Sequence, residues 1–175
     1  MHLRLTRKLI HAVCLLGCLT AAPALASEPA AGLSSAEQAG YLADLQRLYL
    51  SQDERQALLL HSNALLTTYA LRAGFQVGQA QPQDLLYQLR LGEPGELLVR
   101  EEIRGQGNDV AVRNQRIALF GVDPFIRYDC PASGISCVLY NPVDGKPLLT
   151  IVRDHQGAAE LAKALSFLIR KVQRG

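Results

Sequence analysis

Glu96-Leu97-Leu98-Val99-Arg100-Glu101-Glu102-Ile103-Arg104 is the stretch at which the chain stops repeating like a helix and begins to alternate like a strand. Leu97, Val99, Glu101 and Ile103 fall on one side, and Leu98, Arg100, Glu102 and Arg104 on the other, the period of two of a half-buried strand. Gly105 to Asp109 supplies a turn cluster. Val110 to Gly121 reads as the return strand, with a bulge expected near Asn114 to Arg116, where the alternation falters. Asp123-Pro124 punctuates the run, and Phe125 to Asp129 stays extended. Cys137 to Tyr140 and Leu148 to Arg153 read as two more strands, joined through Asn141-Pro142-Val143-Asp144-Gly145. Sequential strands with short turns and no helix between them predict an antiparallel sheet of four or five strands.

Upstream the period is helical. Ser34-Ser35-Ala36-Glu37 has the form of a capping box and opens a helix to about Ser51, with Tyr41, Leu45 and Leu48 on one stripe. Asp53 to Gln56 gives a second start signal. The helix from Ala57 to Ala73 is apolar around much of its circumference, which predicts the central helix of the domain, closed by Gly74. Pro82 suits the first turn of a third, shorter helix over Pro82–Leu91. Downstream, Gly157 to Arg174 carries Ala158, Leu161, Leu165, Leu168 and Val172 in helical register, a stripe expected to pack on the sheet. The expected fold is therefore α+β: three N-terminal helices, an antiparallel sheet of four or five strands, and a C-terminal helix packed on that sheet.

Residues 1–26 read as a secretory signal peptide. Arg4, Arg7 and Lys8 form a positive start, Leu9 to Leu19 an apolar centre too short to span a bilayer comfortably, and Ala24-Leu25-Ala26 a cleavage signal. Leu15-Leu16-Gly17-Cys18 also resembles a bacterial lipobox, in which Cys18 would be lipidated and tether the chain to a membrane. Residues 27–33 read as a flexible lead-in, and residues 34–175 as a single α+β domain. Without the leader, the 18 basic residues fall to 15 against 16 acidic ones, a net charge of −1. A nucleic-acid partner loses its electrostatic warrant at that balance. Export to a bacterial periplasm or envelope is the expected location, with the lipoprotein as the alternative.

Cys130 and Cys137 are the two cysteines beyond the leader, and in an oxidising compartment a disulfide is their expected state. Closing so short a loop contributes about 2.5 kcal/mol by loop entropy. Their spacing does not suit redox catalysis, and His61 and His155 form no ligand cluster with them, so neither a metal nor a cofactor is expected. No glycine-rich phosphate loop and no Gly-x-Ser-x-Gly occurs. His61 lies in the apolar helix and reads as a satisfied structural histidine. Asp154 and His155, at the entry to the last helix, form the one polar pair placed for a hydrolytic site, although Asp154 equally suits a helix-entry residue. Glu101 and Glu102 point to opposite faces of a strand and cannot act as paired carboxylates across a sugar. Arg100, Arg104, Arg113 and Arg116 read as cross-strand partners of these acids.

Phe125, Tyr128, Ile135, Val138 and Tyr140 gather around the cysteine pair in sequence, as an apolar lip for a protein partner or as a cover for the disulfide. With no complete catalytic set, the expected role is non-enzymatic: binding a protein in the envelope as an accessory subunit, or as an inhibitor or immunity-type factor. A small-molecule or lipid carrier, with leucines of the second helix lining a cavity, is the alternative, and a hydrolase using His155 and Asp154 the third reading.

Overall fold

Asp53 begins the helical hairpin's second arm by accepting hydrogen bonds from the backbone N–H groups of Arg55 (2.8 Å) and Gln56 (3.4 Å), which otherwise lack partners in a first helical turn. The computed structural model describes residues 35–174 apart from Gln106 and Asn108, all within one compact unit over residues 33–175. The leader, Cys18, the lead-in and the Ser34 hydroxyl lie outside the described residues. Helix α1 (Ser35–Leu48) buries Leu42 and Leu45, and α2 (Glu54–Thr68) buries Ala57, Leu58, Ser62 and Leu66. Leu50 in the turn between them adopts a left-handed conformation (φ 50) and is 93% exposed.

Helix α2 ends at Thr68, short of Ala73, because the chain is diverted into the sheets. Tyr69 C=O accepts from Val152 N–H (2.9 Å), Ala70 bridges to Ile151, and Leu71 bridges to Leu85. Gly74 sits beyond, in a 3-10 turn over Ala73–Phe75.

The short helix expected over Pro82–Leu91 is a strand. β1 (Asp84–Leu91) runs antiparallel to β2 (Glu96–Arg104), from Asp84 opposite Arg104 to Leu91 opposite Leu97. β3 (Val110–Ala118) continues the sheet in unbroken register from Arg104 opposite Val110 to Glu96 opposite Ala118, so the bulge expected near Asn114 to Arg116 is absent. A second sheet holds β4 (Tyr128–Asp129), β5 (Ser136–Tyr140) and β6 (Pro147–Val152), and the register shift lies there, between Leu139 and Tyr140. The α+β class stands, but among the described residues there are two N-terminal helices, and two three-stranded antiparallel sheets in place of one sheet of four or five strands. Ala70 and Leu71 bridge one to each sheet.

Helix α3 (His155–Gln173) is the central helix, with 11 of its 19 residues buried. It accepts α2 closely because small residues line it. A Cβ on Gly157 would lie 2.6 Å from the Tyr69 ring, so only glycine fits beneath that tyrosine. Leu58, Leu66, Leu89, Leu97, Leu119, Ile151, Leu161, Leu165 and Leu168 fill the core at 2% exposure or less. The apolar void between α3 and the strands is about 10 Å³, room for one water at most.

Candidate interaction site

The loop from β3 to β4 exposes two phenylalanines from a tightly held backbone. Leu119 and Ile126 anchor its ends at 0% and 2% exposure. Between them the Gln173 amide of α3 donates to Leu119 C=O (2.6 Å) and to Val122 C=O (2.7 Å). Ile126 N–H donates to Ser166 Oγ (3.0 Å), and Asp123 Oδ1 accepts from Phe125 N–H (2.9 Å). Phe120 and Phe125 are nonetheless 62% and 55% exposed. The Phe120 ring lies over Gly95, where a Cβ would come within 2.1 Å of it and where φ is +79. Large apolar rings held in water on a loop whose backbone is already tied down suit interface anchors, because less ordering of the loop is left for binding to impose.

The sequence names Phe125 for the lip but not Phe120, which falls inside the expected return strand. Its signal was the adjacent apolar pair Leu119-Phe120 before Gly121: in extended chain such neighbours point to opposite faces, and in a sheet covered on one face only one of them is buried.

The other residues of the expected lip are divided between the two faces of their sheet. Tyr128 stands opposite Leu139, whereas Val138 stands opposite Asp129 and Thr150 on the reverse face. Tyr140 is half-buried with the Arg127 guanidinium 5.9 Å from its ring centre, and Ile135 precedes β5 at 37% exposure. Cys130 and Cys137 are joined in a disulfide that closes the β4–β5 hairpin, with Cα atoms 4.2 Å apart.

Asp154 is engaged in capping α3, its carboxylate accepting from Gly157 N–H (2.6 Å). His155 is an exposed residue of the same first turn, with no hydrogen bond to Asp154 among the described residues. His61 instead belongs to a polar cluster locking three helices. Glu160 Oε1 accepts from the Tyr41 hydroxyl (2.8 Å) and lies 3.2 Å from His61 Nε2, while Lys163 Nζ stands 2.6 Å from Oε2. Tyr49 Oη lies 3.1 Å from His61 Nδ1. The tautomer with its proton on Nε2 satisfies both contacts, donating to Glu160 and accepting from Tyr49.

Desolvation pushes the Glu160 carboxyl upward, but the hydrogen bonds from His61, Lys163 and Tyr41 outweigh it and carry its pKa from 4.5 to about 2. Burial, reinforced by the bond to Glu160, raises the Tyr41 phenol. A depressed carboxylate pKa stabilises the fold above the unfolded value and loses that contribution as pH falls through the folded one. With the Glu160 side chain 30% exposed, we expect about 1–2 kcal/mol to disappear between pH 5 and pH 2, after discounting for solvent screening. Urea midpoints across that range should fall more steeply for the native chain than for Glu160→Gln; parallel profiles would count against the cluster.

Glu101 and Glu102 lie on opposite faces of β2. Arg113 pairs with Glu101 across the strands (3.0 Å), and Arg100 (3.1 Å) and Arg104 (2.6 Å) both pair with Glu102 along β2 itself. Tyr87 donates to Glu101 (2.8 Å), and its phenol is raised by burial and by that bond.

No family model, curated protein or solved structure matches this chain. What the site can do therefore rests on its own geometry. Among the described residues no group of His, Cys, Asp and Glu is arranged to hold a metal ion, and no helix is long and apolar enough to cross a membrane.

Proposed function

We propose that this chain is an exported envelope protein that binds another protein, as an accessory subunit or as an inhibitor or immunity-type factor, and does not itself catalyse a reaction. The observation that carries the reading is the clamped β3–β4 loop, whose backbone is tied to α3 while Phe120 and Phe125 remain more than half exposed. Aromatic side chains of this kind dominate binding energy when a partner desolvates them. Export is supported by the leader's charge and hydropathy pattern, and the Cys130–Cys137 disulfide is compatible with an oxidising compartment.

A photoreactive phenylalanine analogue placed at position 120, 125 or 88 in the full chain tests the reading in its native envelope. Discrete adducts of one mass are expected from positions 120 and 125 and not from Gln88, an exposed residue of β1. Adducts from none of them, or equal smears from all three, would remove the loop as a binding site.

A further inference from the structure

The outer edges of the two sheets are treated unequally. On β1, Leu71 C=O takes the Leu85 N–H (2.9 Å), and the Asn63 side-chain amide holds both the N–H (2.8 Å) and the C=O (3.0 Å) of Leu89. On β6, Tyr69 C=O takes the Val152 N–H and Ala70 bridges to Ile151. β4 is an edge of two residues. β3 is different: nine residues long, without proline or bulge, and paired on one side only among the described residues. Such an edge is a template for another strand unless something blunts it.

The hydrogen-bond alternation fixes which groups it offers. Leu119 N–H bonds Gly95 C=O (2.8 Å) at one end of the ladder, and Gly105 N–H bonds Asp109 C=O (2.9 Å) at the other. Counting in twos from either end, Ala111, Arg113, Gln115 and Ile117 bond inward to β2, and Val112, Asn114 and Arg116 present their backbone groups outward.

The strand carries two arginines and no acid. Arg113, 73% exposed, lies on the Glu101 face, beside a cleft of about 130 Å³ lined by Tyr87, Gln115, Leu148 and Thr150. Arg116 lies exposed on the opposite face, with no ion pair among the described residues. A second copy is a poor occupant: with Asn114 on a two-fold axis, four arginines and no carboxylate would share one ladder.

We infer that the β3 edge accepts an extended acidic segment of a partner protein as a fourth strand, with carboxylates three residues apart meeting Arg113 on one face and Arg116 on the other. Backbone bonds supply the attachment and the two arginines the choice of sequence. The inference rests on the protein-binding reading and adds its mode.

The test uses the full chain and two synthetic probes, Thr-Glu-Val-Thr-Glu-Val-Thr and its lysine twin. The glutamate peptide should bind at least about tenfold more tightly than the lysine peptide. It should also slow amide exchange at Val112, Asn114 and Arg116. Asn114→Pro removes an outward N–H while sparing the ladder to β2, so it should weaken binding at least about fivefold in a chain that still unfolds cooperatively. Arg116→Glu should do the same and should restore binding of the lysine peptide. Equal binding of the twins, protection confined to other strands, or a dimer abolished by Asn114→Pro would overturn the inference. Photo-adducts at position 125 without protection along β3 would sink this mode alone; loss of both would sink the protein-binding reading.

Discussion

Leu168→Ala should lower the unfolding free energy by about 4 kcal/mol, the range for truncating a fully enclosed leucine whose surroundings cannot collapse into the space. Leu168 is 0% exposed and lies on α3, which is packed between α2 and the strands. For a domain of this size the midpoint of thermal unfolding should fall by roughly 10 °C or more. Leu60→Ala on α2 is the contrast, because Leu60 is 37% exposed and should cost about 1 kcal/mol or less. Urea unfolding of both variants, with unchanged slopes, measures the difference. Similar losses would make α2 and α3 equal partners in the core and would restore the sequence expectation of a central second helix.

That expectation failed for a physical reason. Leucine content reports how apolar a helix is, not how many neighbours surround it. Leu58 and Leu66 of α2 are buried while Leu60 faces out, and α3, with fewer leucines in a row, is enclosed because Gly157, Ala158, Ala162 and Ala164 let other elements approach it. The strand stretch at Glu96 was legible because Leu97 and Val99 are buried and Arg100 is exposed, so a single half-solvated face imposes the alternation. Asp84-Leu85-Leu86-Tyr87-Gln88-Leu89-Arg90-Leu91 was expected to be helical because the preceding Pro82 suits a first turn and Gly92 to Gly95 supplies a stop. The same residues also alternate, Leu85, Tyr87, Leu89 and Leu91 on one face, and pairing along all eight residues with β2 decides between the two periods.

Within the sites, the disulfide and the Asp154 cap were local and therefore readable. The Tyr41–Glu160–His61 cluster spans sequence separations of 119 and 99 residues, and no local pattern announces it. The open edge of β3 is of the same kind: nothing in Val110 to Ala118 says that no neighbouring strand arrives, and only the closure of β1 makes the contrast visible.

That closure gives the second large effect. Asn63→Ala should cost about 3 kcal/mol, because the Asn63 amide serves as a one-residue strand for Leu89 and its loss strands two backbone groups. Leu89 is 1% exposed, so water cannot readily replace the amide. Thr67→Ala, which removes only a hydroxyl bonded to Asn63 C=O on the exposed side of α2, should cost less than 1 kcal/mol. Native-state hydrogen exchange distinguishes loss of the Leu89 bonds from general loosening. In Asn63→Ala the Leu89 amide should exchange faster than predicted from the fall in global stability, while Val99 and Glu101 on β2 track that fall. A uniform change, or a cost below about 0.5 kcal/mol, would mean that Leu71 alone seals β1. The variant would also carry a second open edge, and its aggregation at high concentration should rise above that of the native chain, whose exposed β3 edge is guarded by Arg113 and Arg116.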